Sequence, residues 1–115
     1  MDSPDRHDAV SSNPLWYDAR DHLVPSIGER AFELVALTLA EAVGNVGAVT
    51  SLRENLEAEG TDTSRPHLTE AESLLIEWAR SASEASGPAR FDERMQRTFS
   101  PSLRDGLLAL AAASP

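Results

Sequence analysis

TEAESLLIEWARSA, running from Thr69 to Ala82, places Ala71, Leu74, Leu75, Trp78, Ala79 and Ala82 at i, i+3, i+4, i+7, i+8 and i+11. That is one continuous apolar stripe on a 3.6-residue helix. Its start carries a capping box, because the Thr69 hydroxyl can take an amide of the first turn while Glu72 reaches back to the Thr69 amide. Downstream, Ser86-Gly-Pro88 ends the helix, and Phe91, Met95 and Phe99 make one face of a short one. Ser100-Pro101 then opens a last helix through Leu103, Leu107, Leu108 and Leu110, with Asp105-Gly106 inside its pattern.

Upstream, Thr61 to His67 is a polar connector containing Pro66, and Gly60 is placed to end a helix on which Val49, Leu52 and Leu56 oppose Arg53, Glu54, Glu57 and Glu59. Gly44 and Gly47 bracket the turn before it. Ser26-Ile-Gly-Glu29 reads as a second capping box, opening a helix from Ile27 to about Val43. Only a narrow polar stripe, Arg30, Glu33 and Glu41, interrupts the apolar surface of this helix, which is therefore central or covered by a second subunit. Pro14 suits the first turn of a short helix capped by Asn13, carrying Leu15, Trp16 and Tyr17 up to a break before Pro25. Residues 1–13, rich in Asp, Ser and Pro, are expected to form a loose tail.

No segment alternates with period two, so the expected fold is all-α: one domain over residues 14–115, built of five or six helices. The chain has 115 residues, 41% of them apolar, which is enough for one modest core. The absence of cysteine excludes disulfides, thiolate catalysis and cysteine-ligated metal centres. A formal charge of −9 would repel a phosphate backbone, so nucleic acid is not an expected partner. The N-terminus lacks the basic and apolar regions of a leader, and the longest apolar-rich run, Ala31 to Val43, is too short to span a bilayer. An acidic cytoplasmic protein with no membrane partner is expected.

Two regions resemble the carboxymuconolactone decarboxylase and AhpD-type alkylhydroperoxidase family. The first is Glu29-Arg-Ala-Phe-Glu-Leu-Val-Ala-Leu, followed by Gly44-Asn-Val-Gly-Ala-Val-Thr-Ser-Leu and closing at Glu57-Ala-Glu-Gly60. It is similar to the family's Glu-Leu-Val helix, its Cys-x-x-Cys-x-x-x-His helix start and its Glu-Ala-Gly ending. The second runs from Leu68 through Arg80, then Phe91 to Ser100 and Leu107 to Ala112, and resembles the family's trailing helices. The resemblance covers about Trp16 to Ala113 and implies an AhpD-like helical bundle that forms a homo-oligomer. It places the two cysteines of the family on Asn45 and Ala48, the histidine on Leu52 and the relay glutamate on Glu33. Asn, Ala and Leu cannot attack a peroxide, resolve a sulfenic acid or move a proton, so dithiol peroxidase activity is excluded. The chain also stops at Pro115, where relatives commonly continue, so a site wall from that continuation would be missing or would come from another subunit.

What the resemblance leaves is cofactor-independent proton transfer, of lyase or isomerase type, on a small organic molecule. Glu33, walled by apolar neighbours, would be the acid or base, and His22 its partner. Asn45 would orient a polar group of the substrate, with Trp16 and Tyr17 lining the pocket. Each residue has a second reading: Glu33 as part of a solvated stripe paired with Arg30, His22 as a loop histidine, Asn45 as a helix cap, Trp16 and Tyr17 as interface anchors. Trp78 fits the apolar stripe of its helix. His67 belongs to the approach to the Thr69 cap and His7 to the tail. With no histidine pair at helical spacing, no metal and no cofactor are expected. The alternative function is a non-catalytic ligand-binding or protein-interaction subunit, its former pocket closed over by Ala48 and Leu52.

Overall fold

The computed structural model describes residues 14–61, 68–84 and 91–113, and among them the fold is all-α. Six helices follow one another: α1 (Pro14–Ile27), α2 (Glu29–Val43), α3 (Val46–Ala58), α4 (Glu70–Glu84), α5 (Glu93–Thr98) and α6 (Pro101–Ala113). The expected tail over 1–13, the Asn13 cap, most of the connector before Leu68, the Ser86-Gly-Pro88 stop, and both His7 and His67 lie outside the described residues. None of the described helices is long and apolar enough to cross a membrane.

Helix α2 is the axis of the bundle, with α1, α3 and α4 packed on it and α6 packed on α1 and α4. Ala31 through Leu37, together with Leu39 and Ala40, are buried, so its own chain encloses it with no second subunit. Leu23, Val35, Leu56, Ala79, Leu107 and Leu110 are fully buried around that axis, with Phe32, Leu52 and Leu75 at 1% exposure.

The Thr69 capping box forms as expected: the Glu72 amide donates to Thr69 Oγ1 at 3.1 Å, and the Thr69 amide donates to Glu72 Oε1 at 2.9 Å. Asp92 and Ser100 cap α5 and α6 in the same way, accepting from the Met95 and Leu103 amides at 2.9 and 3.2 Å. The end of α3 is a Schellman motif, in which the Thr61 amide donates to the Leu56 carbonyl (2.9 Å) and the Gly60 amide to that of Glu57 (3.0 Å).

The second capping box, at Ser26, is not formed. Helix α1 runs through Pro25 and Ser26 to Ile27, and α2 begins at Glu29 behind Gly28, which provides no side-chain cap. Leu23, fully buried, and the half-buried Ile27 hold this last turn against the core. Pro25 forfeits one helical hydrogen bond, but Pro25 and Asp21 are both exposed, so water can take the orphaned carbonyl. The break falls instead at Gly28, whose φ of 91° reverses the chain while its amide donates to the Val24 carbonyl at 2.8 Å.

Helices α1 and α6 meet through Gly106. A Cβ there would lie 2.5 Å from His22 Cδ2 and 2.9 Å from Leu23 Cδ2. Leu23 is enclosed and cannot retreat. Gly106→Ala is therefore expected to lower stability by about 1–3 kcal/mol through overpacking, despite a gain of roughly 1 kcal/mol in helix propensity. Urea denaturation measures this, and an unchanged or higher midpoint would show that the two helices can separate freely.

Candidate functional site

Glu33 projects from the enclosed helix and is 7% exposed, with its Oε1 buried and without a hydrogen-bond partner. It is not part of a solvated stripe, nor paired with Arg30. Arg30 turns to α4 instead, where its Nε stands 3.2 Å from Glu72 Oε2. Glu41, by contrast, is exposed and pairs with Arg53 of α3 at 2.7 Å. Residues three or four positions apart share a helix face, but which face meets solvent depends on the neighbours.

Burial raises the Glu33 carboxyl far above the ordinary carboxylate range, to about 8. The Glu59 charge, a side-chain hydrogen bond with Glu59 and the Glu29 charge push in the same direction. Arg20 opposes them weakly, its guanidinium being held by Glu29 at 2.9 Å. Glu59 is the group that sequence reasoning missed. It occupies the C-cap of α3, where it looks like one more member of a polar face, and no local spacing relates it to Glu33.

Asn45 caps α3, its Oδ1 accepting from the Ala48 amide at 3.1 Å. Ala48 and Leu52 are core residues at 3% and 1% exposure. Trp16 is also in the core, edge-to-face against Phe32 at 5.2 Å, and the more exposed Tyr17 packs on Trp16 at 4.9 Å. His22 is exposed on α1 and faces α6, where its Nε2 lies 2.9 Å from the Ser102 carbonyl oxygen and 3.3 Å from Ser102 Oγ. The charged groups acting on Glu33 are thus Glu59, Glu29 and Arg20, and the fold does not bring His22 to it.

Of two clefts formed by described residues, neither is lined by Glu33 or Asn45. A small one of about 120 Å³ lies between Trp78 of α4 and Met95 of α5. A larger groove of about 400 Å³ separates α1 from α6. Leu15, Asp18, Ala19 and His22 line one side, with the 3–4–7 spacing of a helix face, and Asp105, Gly106, Ala109 and Ala112 line the other. Among the described residues, no group of three or more His, Asp or Glu side chains is arranged to hold a metal ion.

Comparison of the chain with protein-family models, with curated proteins and with solved structures finds no match.

One titration follows directly from Glu33. Between the ordinary carboxylate range and about pH 8, the folded chain keeps a proton that the unfolded chain has released, so stability falls as pH rises through that window. Urea midpoints taken from about pH 5 to about pH 8.5 are expected to drop by on the order of 3 kcal/mol in folding free energy. Glu33→Gln, which cannot ionise, should flatten the dependence. An equally steep fall in the variant would assign it to other groups.

Proposed function

We propose that this chain is a non-catalytic, acidic, helical protein-interaction module. One observation carries that reading: the positions where the AhpD-type resemblance would put reactive groups are committed to structure. Asn45 is used as a cap, and Ala48 and Leu52 fill the core beside it. The concavity between α1 and α6 is apolar, made by two helix faces, and suited to a further helix rather than to a small polar metabolite.

A second reading has its own support. A buried carboxyl that titrates at about 8 is in the range of a general acid or base at neutral pH, which favours a cofactor-independent lyase or isomerase centred on Glu33. Glu59, itself exposed, is the charged group that acts most strongly on Glu33.

Amide chemical-shift mapping separates the two. Titration with helical peptides is expected to move the amides of Ala19, Gly106, Ala109 and Ala112. Titration with a panel of small organic acids is expected to leave those of Glu33, Asn45 and Glu59 in place. Shifts confined to the Glu33 region with organic acids, lost in Glu33→Gln, would replace the interaction reading with the catalytic one.

A further inference from the structure

We propose that the α1–α6 groove is a docking site for one amphipathic helix of a basic partner protein, with an apolar face flanked by lysine or arginine. The proposal rests on the interaction reading above and names the partner's chemistry. Ala19, Gly106, Ala109, Ala112 and Ala113 make the floor, and their small side chains let an incoming backbone approach closely. Leu15, 62% exposed, stands at one end of the groove as a large apolar side chain.

The charge around that floor is of one sign. Asp18 lies on the α1 side and Asp105 on the α6 side, and among the described residues neither has an ion-pair partner. All ten basic residues of the chain are arginines, and none of those described lines the groove. Arg20 holds Glu29 at 2.9 Å, and the Arg104 guanidinium lies 5.9 Å from the Phe91 ring. Among the described lining residues, His22 is anchored at Ser102. Two carboxylates with no ion-pair partner among the described residues, on opposite banks of an apolar trough, match cationic flanks on either side of an apolar stripe.

The same charges argue against a second copy as the occupant. Each chain carries −9, and seating one groove face on another would bring like-charged aspartates together.

Two peptides of about 18 residues test the proposal, sharing one Leu/Ala face and differing only in Lys or Glu flanks. Anisotropy titrations with the full chain are expected to give the Lys peptide at least a roughly tenfold tighter Kd at low salt, and added salt should narrow the gap. The double variant Asp18→Asn, Asp105→Asn should weaken the Lys peptide by about five- to tenfold and leave the Glu peptide unchanged or tighter. Ala109→Gln, which fills the trough without adding charge, should weaken both peptides, with far-UV circular dichroism and the urea midpoint unchanged. Equal affinity for the two peptides with groove amides shifting would overturn the basic-partner assignment while leaving the interaction reading intact. A concentration-dependent dimer in sedimentation, dissociated by Ala109→Gln, would make a second copy the occupant and also overturn it. If neither peptide perturbs the groove amides, both the assignment and the interaction reading fail.

Discussion

Helix α2 touches three other helices along its length, and a helix enclosed on so many sides has little solvent face left for a charge. Whatever polar group its sequence carries must find a partner inside the bundle, lose its charge or disrupt the packing. Arg30 takes the first course at Glu72, linking α2 to α4 through a carboxylate that also closes the α4 capping box. Glu33 takes the second, holding its proton against a core that would not accept the anion. Glu41, a little over two turns further on, has passed beyond the enclosure and pairs at the surface.

This constraint makes Glu33 ambiguous in function. A carboxyl with a raised pKa is what proton transfer requires, and it is also what results when packing encloses an acid beside another acid. Its surroundings favour the second account. The histidine that might have received a proton is bound to α6, the asparagine that might have oriented a substrate closes the first turn of α3, and the described clefts lie elsewhere. Between α1 and α6, the close contact at Gly106 gives way to an alanine-lined trough.

Close contact and open trough belong to one geometry. Gly106 lets α6 come against Leu23 and His22, and Ala109 and Ala112, further along α6, carry too little bulk to continue the contact. Exposed apolar surface of this kind costs free energy in water until something covers it. Asp18 and Asp105 flank it on either side.

Residue order by itself determined the helical class, the Thr69 capping box, the Gly60 stop and the apolar stripes of α3 and α4, because each depends on groups a few positions apart. It misjudged the end of α1, where Pro25 and a serine-glutamate pair outweighed, on local rules, a tertiary contact by Leu23 and Ile27 that keeps the helix going. The partnership of Glu33 with Glu59, of Arg30 with Glu72 and of His22 with Ser102 was beyond its reach, as was the groove. Those are decided by how helices far apart in the chain rotate and approach, and side-chain spacing within one helix carries no record of which face its neighbour will cover.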